Sequence, residues 1–129
     1  MSNNTPSISF GDAIRICINK FVDFSGRASR AEFWYWYLFS FLVLIIPGWI
    51  MGATSGAIHT IFAIIYWILA AILILPSLAV AWRRLHDTGR AGGWWFISFI
   101  PLIGQIILII WWATPGQPES NRFGAPTSR

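Results

Sequence analysis

The chain has 129 residues, which is room for one domain. Apolar residues make up 56% of it and charged residues only 11%, about half the charged share of an ordinary soluble domain. A soluble protein of this size could not bury so much apolar surface. The formal charge of +4 does not indicate nucleic acid binding, because the basic residues flank apolar segments, where membrane orientation and anionic lipid explain them.

The N-terminal part of the chain is predicted to be a flexible tail followed by an amphipathic helix. Met1 to Ser9 is polar and is not expected to be a cleaved signal peptide, since the first long apolar run begins only at Phe33. Residues 10–22 have helical spacing, and one face carries Phe10, Ala13, Ile14, Cys17, Ile18 and Phe21. This helix is predicted to lie in the headgroup plane, to pack on the protein's own spans, or to do both. Cys17 is expected to be a small apolar filler rather than a lipidated or reactive thiol.

Two long segments without Asp, Glu, Lys or Arg predict the membrane spans. The first runs from Phe33 to Trp82 and the second from Ala91 to Pro118, and a crossing needs about 20 apolar residues. They predict an all-α membrane protein with three transmembrane helices. The predicted spans are residues 33–51, 58–82 and 94–113.

A start signal precedes the first span. Ser29 and Glu32 have the spacing of a capping box, in which the hydroxyl accepts from a backbone N–H near Glu32 and the carboxylate reaches back to the Ser29 N–H. We therefore expect a helix to begin at this point.

The C-terminal half leaves one alternative open. The segment Arg83 to Arg90 is predicted to be a loop, because it contains the turn sequence Asp-Thr-Gly. Pro101 and Gly104 interrupt the third predicted span, so it either crosses or forms a re-entrant hairpin that returns the C-terminus to the starting side. Residues 114–129 are predicted to be an irregular tail.

Tryptophan placement is a second membrane signal. Eight of the nine Trp residues fall near predicted span ends, and Trp67 alone is central. An indole is apolar with one polar N–H, which suits the membrane interface. No acid or base of the Asp, Glu, Lys or Arg type lies inside the three spans, and His59 is placed at an outer end, so a proton-coupled carrier is not favoured.

The basic residues predict the orientation. With the N-terminus and the second loop in the cytoplasm, seven of the nine Lys and Arg residues are inside and two are outside. The reverse orientation would place seven outside. The expected protein is therefore multi-pass with a cytoplasmic N-terminus.

Two charged motifs form the candidate binding cluster. They lie before the first span and after the second, and the predicted orientation brings both to the cytoplasmic face. The candidate residues are Arg27, Arg30, Glu32, Arg83, Arg84, His86, Asp87 and Arg90. One interpretation is a network of salt bridges and caps with Arg contacts to lipid phosphate. The others are a recognition site for an anionic ligand or partner, and a catalytic site.

No catalytic residue, metal or cofactor is predicted. His59, His86 and Cys17 lie in separate segments without paired ligand spacing, and no phosphate-binding loop is present in the sequence. His86 and Asp87 are adjacent in sequence, which alone does not place them in acid–base geometry.

At these motifs the chain resembles the bacterial inner-membrane family called domain of unknown function 805. The resemblance covers residues 10–126, with all blocks in order. The first block is Phe24, Gly26, Arg27, Arg30, Glu32, Phe33 and Trp34, and the later blocks are Arg83 to Arg90, Trp94-Trp95, Ile100 to Gly104 and Asn121 to Gly124. It differs at Ala91-Gly92-Gly93, where relatives more often have Ser-Gly. The resemblance implies a bacterial inner-membrane location and no known activity.

Three functional hypotheses follow. The first is a non-enzymatic inner-membrane protein whose Arg-rich cytoplasmic face binds anionic lipid or a protein partner, alone or as a homo-oligomer. The second is a small oligomeric transporter or pore, which a polar cavity at bilayer depth would favour. The third is a membrane enzyme acting on lipid headgroups, which a pocket converging on His86 and Asp87 would favour.

Overall fold

A computed structural model describes residues 8–126, and its regular structure is helical. The elements are α1 (Phe10–Asn19), α2 (Arg30–Ala53), α3 (Gly56–Asp87), a 3-10 helix (Gly92–Phe99) and α4 (Ile103–Ala113). Between residues 8 and 126 there is no β-strand, only an isolated bridge between Asn121 and Gly124. Most of the predicted N-terminal tail, Met1 to Ser7, lies outside the described residues.

Helices α2 and α3 pack against each other as an antiparallel pair joined by Thr54 and Ser55. Their 24 and 32 residues correspond to about 36 Å and 48 Å, more than the ~30 Å hydrocarbon layer. Only 17% and 11% of their most apolar windows is buried inside the protein. Both helices are long and apolar enough to cross a membrane, and most of their apolar surface faces outward.

The predicted start of α2 is confirmed, but only half of the predicted capping box forms. The Glu32 backbone N–H donates to the Ser29 hydroxyl at 3.1 Å. The Glu32 carboxylate instead accepts from the guanidinium of Arg83, 51 residues away. A buried carboxylate gains more from a charged donor than from one backbone N–H.

The predicted loop from Arg83 to Arg90 is wrong for its first five residues, because α3 continues to Asp87. The helix ends in a Schellman motif, in which the N–H of Gly89 donates to the His86 carbonyl and that of Arg90 to the Leu85 carbonyl. Gly89 has φ +82°, the left-handed conformation that glycine adopts without steric cost. The turn chemistry at Asp-Thr-Gly therefore marks the helix end and not the start of a long loop.

The third predicted span, residues 94–113, is not one continuous helix. It divides into the 3-10 helix and α4, and the chain bends at Ile100 to Leu102. Pro101 has no backbone N–H, and Leu102 adopts φ +67°. Gly104 permits the bend, since a Cβ there would lie 1.7 Å from the carbonyl oxygen of Ile97.

The two halves form a hairpin whose ends lie together. The rings of Trp94 and Trp111, near its two ends, are in edge contact at 5.8 Å. The Gln105 side chain closes the tip by accepting from the Leu102 N–H at 2.6 Å and donating to the Ser98 carbonyl at 2.5 Å. Helix α4 is only 11 residues, about 16 Å long, which is shorter than a ~30 Å hydrocarbon layer.

Helix α1 contacts α2 and α3 along part of its apolar face. Ala13 and Cys17 are fully buried, and Phe10 contacts Tyr35 edge-on at 5.6 Å. At its C-terminal end, Ile18 is exposed, as is Phe21 just beyond it. The predicted apolar stripe thus packs on the protein at its centre and leaves apolar side chains outside at its end.

Candidate functional site

The eight candidate residues all lie at one end of the molecule, where α2 begins and α3 ends. Six of them are buried, namely Arg27, Glu32, Arg83, Arg84, His86 and Asp87. We call these six the charged cap. Arg30 is exposed and Arg90 is half-buried. The segment before α2 is tied to α3 because the Ala28 N–H donates to the Arg83 carbonyl at 3.0 Å.

Asp87 is the central acid of the charged cap. Its carboxylate accepts from Arg27 Nε at 2.8 Å through Oδ1, and from the Arg84 guanidinium through Oδ2. The side chains of all three residues are at most 3% exposed. One carboxylate therefore holds two guanidiniums from opposite sides of the interface between the α2 start and the α3 end.

Arg27 is fully occupied by acceptors of the protein itself. Besides its bond to the Asp87 carboxylate, Arg27 donates to four backbone carbonyls at 2.6 to 3.3 Å. They belong to Asp87, Gln117, Glu119 and Gly124. These bonds use all five N–H donors of a guanidinium. Three of the carbonyls belong to the C-terminal segment 114–125, which we call the strap.

Arg84 joins the end of α4 to the charged cap. Its Nε donates to the Trp112 carbonyl at 3.0 Å, and its other nitrogens donate to the carbonyls of Ala28 and Thr114. The last carbonyls of a helix have no partner within it. A buried cation is a favourable partner for them, because it complements the negative end of the helix dipole.

Arg83 forms a second buried pair beside the first. It donates to the Glu32 carboxylate and, through Nε, to the Asp23 carbonyl at 3.2 Å. The Cys17 thiol lies 3.7 Å from the same carboxylate. Burial raises the pKa of the Cys17 thiol to about 12, so this group is a neutral packing residue at ordinary pH.

His86 is held between two loops. Its Nδ1 lies 2.8 Å from the Gly26 carbonyl, and its ring stacks on Phe123 with centroids 3.9 Å apart. Asn121 donates to the His86 carbonyl at 3.0 Å. The imidazole is therefore part of the attachment of the strap.

The strap contains the site residues that the sequence interpretation missed. The sequence predicts an irregular tail here, and the motif Asn121 to Gly124 lies within it. Gly116 lies so close to the charged cap that a Cβ would come within 1.9 Å of the Asp87 carboxylate. The motif Asn121 to Gly124 was the only sign in the sequence that this segment belongs to the site. It did not show the partners, because the residues that bond to it lie 35 to 97 positions earlier in the chain.

Four other basic side chains surround the charged cap at the surface. They are Lys20, Arg30, Arg90 and Arg122, and we call them the basic rim. Arg90 lies over the ring of Trp111 at 4.3 Å, and Arg122 lies over the ring of Phe123 at 4.7 Å. Arg30 donates one bond to the Ala113 carbonyl at 3.3 Å. These cations are more exposed than the three buried arginines of the charged cap.

Asp23 marks the junction between α1 and the charged cap. Its carboxylate accepts from the hydroxyl and the backbone N–H of Ser25, at 2.7 and 3.0 Å. These bonds, the hydroxyl bond first, lower the pKa of Asp23 below its ordinary value of 3.8.

The geometry defines the class of protein: an α-helical integral membrane protein with its described charged residues gathered at one end of two long apolar helices. The family model described as a protein of unknown function (DUF805) matches residues 21–125. The chain belongs to this family, which confirms the resemblance seen in its motifs.

The names of the curated relatives give a cellular location and no activity. The chain is 37% identical over 111 residues to the inner membrane protein YhaI of Escherichia coli K12, covering 83% of this chain and 87% of the relative. It is 36% identical over 114 residues to the inner membrane protein YhaH of the same strain, covering 83% and 88%. The uncharacterized protein YiiR, also of this strain, is 31% identical over 91 residues, covering 70% and 56%. No solved structure matches the chain.

Proposed function

We propose that this protein is a non-enzymatic, multi-pass protein of the bacterial inner membrane that binds anionic lipid headgroups through its basic rim. In this proposal α2 and α3 cross the bilayer, and the hairpin of the 3-10 helix and α4 enters from the cytoplasmic side and returns to it. The charged cap and the strap hold the rim residues in place. The N-terminus and the C-terminus are both cytoplasmic.

The distribution of basic residues supports this orientation. Eight of the nine Lys and Arg residues lie within the described chain, before or at the start of α2, in the last turns of α3 or beyond it, or after α4, toward the end of the molecule that carries the charged cap. The turn at Thr54 and Ser55, at the opposite end, has none. Positive residues near span ends remain in the cytoplasm. The hairpin strengthens this bias, because it adds Arg122 to the basic end.

The observation that carries the binding proposal is the contrast between saturated and free guanidiniums. Arg27 has no N–H left for a ligand, and Arg83 and Arg84 are fully buried. Arg30 and Arg122 are exposed, and Arg122 lies over the ring of Phe123. Exposed cations at this level attract the anionic headgroups of the cytoplasmic leaflet.

The same geometry favours a structural role for the two residues that would have carried catalysis. The Asp87 carboxylate lies between two guanidiniums, and the His86 ring is stacked under Phe123. Each is 7% exposed or less. Their contacts attach the strap and do not converge on an open pocket.

The polar side chains between α2 and α3 do not favour the transporter hypothesis. The Trp36 indole N–H donates to the Ser77 hydroxyl at 2.9 Å, and the Tyr37 hydroxyl donates to the Ser77 carbonyl at 3.1 Å. The Ser40 hydroxyl donates to the Trp36 carbonyl at 3.0 Å. Tyr37, Ser40 and Ser77 line a groove of about 750 Å³, but the hydrogens of these groups are donated within the helix pair and the other lining residues are mostly apolar.

Lipid preference tests the binding proposal. The full-length protein is purified in mild detergent, and the retention of phosphatidylglycerol and phosphatidylcholine is compared by native mass spectrometry. Changing all four rim residues to Gln is expected to reduce the preference for phosphatidylglycerol by at least about tenfold, because each cation near an anionic surface contributes about 1 kcal/mol before screening reduces it. The matched control is Glu119→Gln, which removes an acid and is expected to increase the preference. An unchanged preference in the rim variant would contradict the proposal.

Reporter fusions test the topology independently. Green fluorescent protein fused to either terminus is expected to fluoresce, and alkaline phosphatase fused there is expected to be inactive, since both ends are proposed to be cytoplasmic. A continuous third span would instead give an active C-terminal phosphatase.

A further inference from the structure

A groove between α1, α2 and α3 lies outside the charged cap and takes no part in it. Its volume is about 590 Å³, within the range of about 300–1,000 Å³ that is usual for small-molecule sites. All eleven lining side chains are apolar, from Ile18 and Phe21 on the α1 side to Leu69 and Ile72 on α3. The groove therefore suits a hydrocarbon ligand.

The depth of the groove distinguishes between an acyl chain and a protein helix. On α3 the lining residues Pro76 to Leu69 lie 7 to 14 positions before Arg83, about 10 to 21 Å along the axis. On α2 the lining residues Trp36 to Val43 lie about 6 to 16 Å beyond Glu32. The groove thus covers about the depth of one leaflet, half of a ~30 Å hydrocarbon layer. A spanning helix of a second copy would need a surface along the whole thickness.

The lining residues of the groove do not present free N–H donors to it at two positions, Trp36 and Pro76. Trp36 lines the groove, and its indole N–H donates to the Ser77 hydroxyl. Pro76, which also lines it, has no N–H at all. An acyl chain in this groove therefore meets no unsatisfied donor from either residue.

A basic residue lies in the chain between the two α1-side residues that line the groove. Lys20 lies between the two α1-side lining residues Ile18 and Phe21, and its side chain is exposed. The nearby Asp23 carboxylate interacts with it and is itself bonded to Ser25. An ammonium group at the headgroup level, beside an apolar groove, complements the phosphate of a phospholipid.

We propose that this groove holds one acyl chain of an anionic phospholipid from the cytoplasmic leaflet, with the lipid phosphate beside Lys20. This site rests on the proposed binding of anionic headgroups and names one place where it occurs. It differs from the rest of the basic rim because it retains a chain as well as a headgroup.

A pair of adjacent alanines provides the test. Ala71 lines this groove, whereas Ala70 lines the separate groove on the other side of the α2–α3 pair. Full-length protein is incubated with palmitoyl-oleoyl phosphatidylglycerol and analysed by native mass spectrometry. Wild type and Ala70→Phe are expected to retain one lipid, and Ala71→Phe is expected to retain about tenfold less. Lys20→Gln is expected to keep a lipid but to lose its preference over phosphatidylcholine.

Crosslinking of the unmodified protein provides a measurement that does not depend on the folding of a variant. Phosphatidylglycerol with a diazirine in one acyl chain is expected to label the α2 and α3 sides of the groove, at residues such as Phe39 and Leu69. Labelling spread evenly over the exposed faces of α2 and α3 would overturn the site. So would a dimer in place of retained lipid.

The outcomes separate this site from the proposed function. Equal lipid retention in Ala71→Phe and Ala70→Phe would overturn the groove site while the preference of the rim for anionic lipid still stands. Absence of that preference in the wild-type protein would instead overturn both.

Discussion

The two ends of the molecule are specified in different ways. At the charged cap, Arg83, Arg84 and Asp87 are at most 2% exposed, and each contacts named partners. Toward the opposite end, Ile46 and Trp49 are 65% and 76% exposed. Lipid tails are as apolar as the side chains, so helices in a membrane have no hydrophobic reason to associate. The comparison teaches that the polar end determines how the helices are arranged, while the apolar parts determine where the protein resides.

The charged cap fixes the relative positions of the helices more than it increases the free energy of unfolding. Removing charges from water costs free energy that their mutual attraction often only balances, whereas removing one partner leaves the other charge buried and alone. Here the carbonyls of α4 and of the strap share the same guanidiniums as Asp87. The ends of four segments are therefore fixed together by one set of donors.

The largest expected effect comes from removing the central acid. Asp87→Asn keeps the shape of the side chain but leaves the guanidiniums of Arg27 and Arg84 without their negative partner. The free energy of unfolding is expected to fall by about 3–5 kcal/mol. It is measured by detergent titration, with alkylation of the buried Cys17 as the probe of unfolding.

Asp12→Asn is the matched control for this change. Asp12 pairs with Arg15 at the exposed surface, and that pair is expected to contribute no measurable stability. If Asp87→Asn were as stable as Asp12→Asn, the proposed role of the charged cap would be contradicted.

The second prediction concerns a substitution that disrupts the hairpin. The added Cβ of Gly104→Ala would lie 1.7 Å from the Ile97 carbonyl oxygen, a backbone atom that cannot rotate away. The free energy of unfolding is expected to fall by about 3 kcal/mol, the upper part of the usual range for overpacking. Gly93→Ala, with open space around its Cβ, is the control and is expected to change little.

The third prediction concerns the tip of the hairpin. Gln105→Leu leaves the Leu102 N–H and the Ser98 carbonyl without their partner, and the free energy of unfolding is expected to fall by about 2 kcal/mol. For a continuous third span the sign would be opposite, because Leu is more favourable than Gln in hydrocarbon. Ile103→Leu, at a neighbouring exposed position, is the control in the same titration.

The smallest effect is expected at the junction before α2. The pKa of Asp23 is lowered by Ser25, so its contribution is present above pH 3.8 and is lost as the pH falls through the lower value of the folded state. Ser25→Ala is expected to raise this pKa toward 3.8 and to change the free energy of unfolding by less than about 0.5 kcal/mol. An NMR titration of the carboxylate measures the shift, and an unchanged pKa would contradict the assignment to Ser25.

The sequence alone determined the features that depend on neighbouring residues. The long apolar runs determined the two helices α2 and α3, and Ser29 determined where α2 begins. Motif order also identified the family. Apolar length and a capping side chain act within a few residues along the chain, so these features are readable without knowledge of the fold.

Only the tertiary structure decided which charged residues are buried and which remain at the surface. Arg27 and Arg30 lie three positions apart in one motif, yet Arg27 is saturated by carbonyls as far away as Gly124 while Arg30 stays exposed. The bend between the 3-10 helix and α4 likewise depends on the close approach of Gly104 to Ile97 and on the bonds of Gln105, which the sequence does not show. The physical reason is that burial and hydrogen-bond partners depend on segments far apart in sequence, which no local pattern records.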